Sequence, residues 1–120
     1  NTKVIDVINE LNEYGINVKV IDPVADQEDL LYSYGITLSN EEDVKYVDAV
    51  IFAVNHDEFK DIKLEDVKKL YNKTRNGAKQ TSEVAATIED VDSTKEVLVD
   101  VKGLFDRKEA EALDYLYWRL

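Results

Sequence analysis

Apolar positions follow two different periods along this chain, and the change of period predicts helices interleaved with strands. Apolar residues three or four positions apart predict four helices, over residues 4–14, 26–34, 64–71 and 108–113. Shorter apolar segments predict four strands, over residues 16–21, 48–54, 97–101 and 115–118. Helices that alternate with strands predict an α/β fold with a doubly wound parallel sheet, and right-handed crossovers place helices on both faces in three layers.

The individual segments refine this prediction. The runs at 48–54 and 97–101 are almost continuously apolar, which is typical of strands covered on both faces. Residues 36–47 predict a short strand near Thr37 and an acidic helical turn. Residues 72–93 are polar, and we interpret them as a variable loop or insert within a single domain that spans residues 1–120.

Composition and charge exclude several classes of function. The chain has 120 residues, of which 44% are apolar and 34% charged, as in one folded globular domain. A formal net charge of −11 argues against nucleic-acid partners and against an anionic membrane surface. The chain has no Cys, which excludes disulfides, thiolate catalysis and Cys-ligated zinc, and which suits a reducing compartment. With no visible signal peptide or apolar membrane span, we expect a cytoplasmic protein.

The first candidate site follows the strand predicted at 97–101. Lys102 stands where ligands bind in open α/β sheets, outside the carboxyl end of a strand, so it could neutralise a bound anion. The alternative is a solvated lysine at a strand end. Gly103 would let the backbone approach a ligand, or would permit a tight turn with positive φ. Asp106 can cap a helix that starts at Arg107, and Arg107 either pairs with Glu111 or contacts ligand.

The second candidate site follows the strand predicted at 48–54. Asn55 and His56 lie at its carboxyl end, where they could line a cleft. His56 is the only histidine and makes no metal site by itself, so we predict no bound metal. Phe59, one turn later, is expected to pack into the core. Asp22 could bind a ribose hydroxyl, although the Pro23 that follows it is more typical of a turn.

The remaining conspicuous residues favour structural roles. The acidic clusters at 41–43 and 89–90 are interpreted as solvated faces, because calcium needs oxygen ligands at a loop spacing that these clusters lack. Tyr115, Tyr117 and Trp118 suit a half-buried edge strand, and core packing is favoured over stacking on a base.

Five blocks of sequence occur in a familiar order. They are NTKVIDVINEL (1–11), IDPVAD (21–26), DAVIFAVNHDEF (48–59), VDVKGLFD (99–106) and YLYWRL (115–120). Together they resemble the carboxy-terminal, nucleotide-sugar-binding domain of the UDP-glucose/GDP-mannose dehydrogenase family. The resemblance covers nearly the whole chain and weakens across 72–93. It implies a Rossmann-like fold and a UDP-sugar substrate, with Lys102, Gly103, Asn55 and His56 as substrate-binding residues.

The same resemblance implies an NAD-dependent enzyme that oxidises the sugar C6 alcohol to a carboxylate. In that family an amino-terminal Rossmann domain holds NAD, a central helical region carries the dimer interface, and a catalytic Cys attacks the aldehyde intermediate. This chain has no Cys, and its four glycines form no GxGxxG fingerprint. We therefore assign no catalytic residue here, place NAD with the remainder of the parent enzyme, and predict that the chain alone is inactive.

One departure from the family concerns the sheet. The family domain opens with a strand and a basic loop, whereas this sequence begins at the following helix. The absent strand belongs in the middle of the sheet, so its loss would uncover edges on the strands at 17–22 and 48–54. We expect these strands to pair directly, to swap, or to form a homo-oligomer.

A second interpretation belongs to another class of protein. A freestanding flavodoxin-like or receiver-like module would act through protein contacts without catalysis. It predicts an acidic cluster after its first strand and a phosphorylatable Asp. Asp100 is followed two residues later by Lys102 rather than by further acidic residues, which disfavours this alternative.

Overall fold

The computed structural model describes residues 2–71 and 95–120. The segment predicted to be a variable insert, 72–93, lies outside the described residues. The chain divides into two compact units, Asn1–Val44 and Lys45–Leu120. No helix of the described residues is both long and apolar enough to cross a bilayer.

The first unit contains two helices, α1 (Thr2–Glu13) and α2 (Gln27–Tyr34), as the apolar spacing predicts. α1 is followed by Gly15 at a φ of 79°, and α2 is followed by Gly35 at 69°, both in the left-handed region that glycine adopts at little cost. The Asp26 side chain caps α2 by accepting hydrogen bonds from two backbone N–H groups of its first turn. A short 3-10 helix, Glu41–Asp43, forms the predicted acidic turn.

The strand predicted over residues 16–21 is wrong. In the described chain this segment makes a single parallel bridge, from Val20 to Leu38, and no ladder. The ladder stops there because extended backbone ends near the bridge: Gly35 has a φ of 69°, and the Asp22 side chain closes a turn with the N–H groups of Val24 and Ala25. The Gln27 side chain binds the other edge of the Leu38 segment, which faces away from residues 16–21. Its Nε2 donates to the Ile36 carbonyl at 3.1 Å, and its Oε1 accepts from the Leu38 N–H at 2.5 Å.

Asp22 takes the turn-forming role. Its Oδ1 accepts hydrogen bonds from the N–H groups of Val24 at 2.9 Å and Ala25 at 3.0 Å. These bonds close a local turn in which the carboxylate mimics a backbone carbonyl.

In the described residues, the second unit contains a three-stranded parallel sheet with helices between its strands. The strands are β1 (Ala49–Phe52), β2 (Glu96–Asp100) and β3 (Tyr115–Arg119), in the spatial order β1-β2-β3. α3 (Leu64–Val67), extended by the 3-10 turn Lys68–Leu70, follows β1, and α4 (Arg107–Ala112) connects β2 to β3. This is an α/β, Rossmann-like arrangement, as predicted.

The two helices described in this unit, α3 and α4, pack on the same face of the sheet. The buried cluster comprises Phe52, Leu64, Val67, Tyr71, Leu98, Ala110, Tyr115 and Tyr117. On the other face of β1, Ala49 and Ile51 are exposed, so the prediction that this strand is covered on both faces is wrong. Strands in sequential order with crossovers of one hand place the described crossover helices on one side of the sheet. No described helix of this unit covers the other side.

Two tyrosines tie α3 and the turn after it to the sheet. The Tyr71 hydroxyl donates to the Val97 carbonyl at 2.6 Å, and the Tyr115 hydroxyl donates to the Leu64 carbonyl at 2.5 Å. Tyr115 and Tyr117 are core residues, as predicted. Trp118 is exposed, so the prediction of core packing is wrong for this residue, whose side chain points to the opposite face of β3.

Candidate functional site

The predicted binding residues lie in two loops, one after β1 and one after β2, and both loops begin at the same edge of the sheet. β1 and β2 are parallel neighbours, and Phe52 lies opposite Asp100 at their carboxyl ends. The Val101 N–H donates to the Phe52 carbonyl at 3.0 Å, which extends the pairing one step beyond β2. Asn55 and His56 therefore lie in the loop that follows β1, and Lys102 and Gly103 lie in the loop that follows its neighbour β2. This edge is where ligands bind in open α/β sheets.

A row of rings packs these two loops against each other. The Phe105 ring centroid lies 5.0 Å from that of Phe52, which lies 5.5 Å from Phe59, and both pairs meet edge to face. The imidazole of His56 meets Phe59 edge-on at 5.3 Å. Phe59 thus packs onto the core as predicted, His56 is half-buried, and Asn55 is exposed.

A buried carboxylate organises the loop after β2. Asp100 is fully buried, and its Oδ1 accepts a hydrogen bond from the Leu104 N–H at 2.9 Å. Its Oδ2 accepts from the Phe105 N–H, also at 2.9 Å. These bonds fix the backbone on both sides of the turn that presents Lys102 and Gly103. Sequence reasoning missed this role, although a charged residue two positions after Leu98, on the same side of β2, is a signal for it.

The environment of Asp100 favours its charged form. Burial alone would raise the pKa of its carboxyl, but hydrogen bonds from the Tyr117 hydroxyl and from three loop N–H groups reverse that effect and hold the pKa below its usual 3.8. Because this carboxylate is fully buried and hydrogen-bonded, it is not placed to accept a phosphoryl group, which further disfavours the receiver-like alternative.

Two residues of β3, Tyr117 and Arg119, extend the hydrogen bonds of Asp100. We call these three residues the Asp100 network. The Tyr117 hydroxyl donates to Asp100 Oδ2 at 2.5 Å, and Arg119 Nε donates to the Tyr117 oxygen at 3.1 Å. Arg119 Nη2 also donates to the Phe105 carbonyl. Burial, followed by the bond to Asp100, raises the pKa of Tyr117, so this hydroxyl keeps its proton and remains a donor.

A glycine is required at position 103 because of the backbone conformation there, and not because a side chain would lack space. The φ of Gly103 is +70°, in the left-handed region. A Cβ built there would lie 3.5 Å from Arg119 Nε, which is ordinary van der Waals contact. The tight-turn alternative for Gly103 is therefore confirmed, while a role in ligand approach stays a prediction. Lys102, beside it, is exposed.

The start of α4 differs from expectation in two respects. The Arg107 guanidinium lies over the Tyr117 ring at 5.1 Å, and among the residues described no ion pair joins it to Glu111. Asp106 occupies the N-cap position and its carbonyl accepts from the Ala110 N–H at 3.0 Å. Its side chain makes no capping hydrogen bond in the described structure, so the predicted side-chain cap is wrong.

The described residues contain no cluster of three or more acidic or histidine side chains that could hold a metal ion. The arrangement is instead a pair of loops with amide, imidazole and ammonium groups at one sheet edge. Such groups bind the polar and anionic parts of a small molecule.

Comparison with known proteins identifies the family of this chain. Residues 1–78 match the family model described as the UDP-glucose/GDP-mannose dehydrogenase family, UDP binding domain. The chain belongs to this family. No solved structure matches it.

Three curated relatives illustrate the family membership. The UDP-N-acetyl-D-glucosamine 6-dehydrogenase of Pseudomonas aeruginosa is 44% identical over 70 residues, which is 58% of this chain and 17% of the relative. The enzyme of the same name from Salmonella typhi is 40% identical over 68 residues, covering 57% of this chain and 16% of the relative. Protein CapL of Staphylococcus aureus is 32% identical over all 120 residues, which is 23% of its own length. The chain thus spans less than a quarter of each of these family members.

The two candidate loops differ in which of these alignments cover them. Asn55 and His56 lie inside the segment that matches the family model, residues 1–78. Lys102 and Gly103 lie beyond it, but within the alignment with Protein CapL, which covers the whole chain.

Proposed function

We propose that this chain is the UDP-sugar-binding domain of an NAD-dependent nucleotide-sugar 6-dehydrogenase, which oxidises the sugar C6 alcohol to a carboxylate. The family membership supports nucleotide binding, and the two relatives named as UDP-N-acetyl-D-glucosamine 6-dehydrogenases support the reaction. The observation that carries the proposal is the loop at 101–106, which Asp100 holds in a fixed shape at the carboxyl edge of the sheet.

Four residues would contact the substrate. The Lys102 ammonium donates to a phosphate oxygen or a base carbonyl, and Gly103 contacts the ligand through backbone that Arg119 does not cover. Asn55 offers an amide that can donate and accept, and His56 offers its imidazole from the neighbouring loop. Because hydrogen bonds fix the loop without a ligand, little ordering is needed on binding.

The residues of this chain do not fit NAD. None of its strand-to-helix turns has the GxGxxG sequence, and it contains no Cys to act as nucleophile. In this proposal the cofactor and the nucleophile are supplied by other parts of a parent enzyme. The contribution of this domain is to bind and orient the nucleotide part of the substrate.

Calorimetric titration of the chain with UDP, UDP-N-acetylglucosamine, UDP-glucose and GDP-mannose tests the proposal. We expect the uridine nucleotides to bind, and Lys102→Ala to weaken UDP binding by about tenfold, as loss of one charge-assisted hydrogen bond requires. Lys108→Ala is the matched control, because it removes the same charge from an exposed position on α4. A folded chain that does not respond to any of these nucleotides contradicts the proposal.

In the parent enzyme, Lys102→Ala is expected to raise KM for the nucleotide sugar several-fold and to leave kcat nearly unchanged. A contact with the nucleotide stabilises the ground state and the transition state equally, since the chemistry occurs at the sugar. Steady-state measurement of NADH formation separates the two constants. A loss confined to kcat would show that Lys102 acts on the reaction instead.

A further inference from the structure

Arg119 is the last residue of β3, and it reaches back over the loop that follows β2. It lies opposite Asp100 in the register of the two strands. Its Nε donates to the Tyr117 hydroxyl at 3.1 Å, and its Nη2 donates to the Phe105 carbonyl. The guanidinium also covers Gly103, since a Cβ at that residue would lie 3.5 Å from Nε and 3.8 Å from Cζ.

These contacts hold the loop from its outer side. Asp100 binds the N–H of Phe105 from within the sheet edge, and Arg119 binds the carbonyl of the same residue. The Phe105 ring packs on Phe52 at 5.0 Å. Both backbone polar groups and the side chain of Phe105 are therefore fixed, and Lys102 and Gly103 lie between this anchor and the end of β2.

The geometry requires a guanidinium rather than any cation. Two different nitrogens of Arg119 bind two acceptors that belong to different strand-loop segments, the Tyr117 hydroxyl and the Phe105 carbonyl. A planar fork does this with little further loss of side-chain freedom, whereas a lysine ammonium is a single point at the end of a flexible stem. None of the ion pairs in the described part of the chain involves Arg119, which points to a role other than charge pairing.

We propose that Arg119 is a positioning residue for nucleotide binding: it clamps the 101–105 loop through the Phe105 carbonyl and the Tyr117 hydroxyl, so that Lys102 and Gly103 meet the ligand in a preformed arrangement. This inference rests on the proposed function, because it assigns a determinant of affinity to the same site. Arg119 acts through the loop and not through the reacting atoms.

The test compares Arg119→Gln, Arg119→Lys and Tyr117→Phe with the unchanged chain, using UDP as the probe. Each variant is expected to lower UDP affinity by about three- to tenfold at a temperature where it is fully folded. Amide hydrogen exchange of Leu104 and Phe105 is expected to become faster in all three variants. Lys108→Gln, which removes one positive charge from exposed helix surface, is expected to change neither quantity.

The outcomes separate positioning from charge and from general stability. If Arg119→Lys restores affinity, charge alone suffices and the inference is overturned. If the variants lower the melting temperature but bind UDP as tightly as the unchanged chain, Arg119 is only structural and the inference is again overturned. These two results leave the proposed function intact. A lack of any UDP response in the folded, unchanged chain overturns the proposed function and this inference together.

Discussion

At the scale of single residues, Asp100 is the charge on which the candidate site depends. A buried carboxylate is costly unless hydrogen bonds replace its lost hydration. Here the Tyr117 hydroxyl and the N–H groups of Leu104 and Phe105 supply them, and each bond fixes a part of the loop. The residue that the ligand would meet, Lys102, is exposed and is presented by this internal framework.

Asp100→Asn is expected to destabilise the chain by roughly 2–4 kcal/mol. The amide keeps one acceptor oxygen and directs an NH₂ group at neighbouring donors, so at least one buried hydrogen bond is lost. Urea unfolding followed by circular dichroism measures the change in the free energy of unfolding. Asp106→Asn is the matched control, since Asp106 is exposed and its side chain makes no capping bond. Equal urea midpoints for the two variants would contradict a stabilising role of the buried Asp100 carboxylate.

The contribution of Asp100 to the free energy of unfolding is expected to depend on pH in the acidic range. Its folded-state pKa lies below the usual 3.8, so the unfolded state binds the proton more tightly. The stabilisation by Asp100 is therefore complete well above pH 3.8, and it is lost as the pH falls toward the pKa of Asp100 in the folded state. Urea unfolding of the unchanged chain and Asp100→Asn at pH 7, 5 and 3 should show a constant difference in stability that narrows only in the last sample. A difference that narrows between pH 7 and 5 would contradict this assignment.

The sequence predicts only part of the site at this scale. The position of Lys102 and Gly103 at a strand end can be predicted, because a strand followed by a basic residue and a glycine is a local pattern. The Asp100 network is not local, since it depends on the register that sets Leu98 beside Tyr117 and Asp100 beside Arg119. Register is fixed by packing across strands, which a single sequence does not display.

At the scale of elements, β2 is the centre of the second unit. It pairs with β1 on one side and β3 on the other, and Leu98 in its middle is fully buried. Helices were easier to predict than strands, because a helix is defined by spacing within one segment. The strand predicted at 16–21 needs a partner, and in the described residues it makes only one bridge, from Val20 to Leu38.

Leu98→Ala is expected to destabilise the chain by about 2–5 kcal/mol, because the removed methyl groups leave a cavity in a closely packed core. Leu120→Ala is the matched control, as Leu120 is 82% exposed at the chain end. Chemical denaturation of both variants gives the two free energies of unfolding. Similar values for the two would show that β2 is not the packed centre of this unit.

At the scale of the whole molecule, the tyrosines report on folding. Tyr71, Tyr115 and Tyr117 are buried, while the other four of the seven, Tyr14, Tyr32, Tyr34 and Tyr46, are exposed. Burial is the first cause that raises the pKa of each of the three buried hydroxyls above the usual 10.0. The stabilisation from these groups is present below pH 10 and declines as the pH rises further, because the unfolded state loses these protons first.

Spectrophotometric titration is expected to show a late phase of phenolate formation that accounts for three of the seven tyrosines. Tyr71, Tyr115 and Tyr117 should ionise only with the loss of far-ultraviolet circular dichroism, because burial raises the pKa of their hydroxyls. Denaturant provides the control, since all seven should then titrate together. A single phase for all seven in the folded chain would contradict the burial of the three.

We propose that this domain binds the nucleotide of a UDP-sugar at the carboxyl ends of β1 and β2. Amide chemical shifts of the isotope-labelled chain, measured during titration with UDP, locate the bound nucleotide. We expect the shift changes to concentrate in residues 53–59 and 101–106, with the Lys102 and Gly103 amides among the most affected. Shifts confined to other segments, or no shifts in the folded chain at saturating UDP, would contradict it.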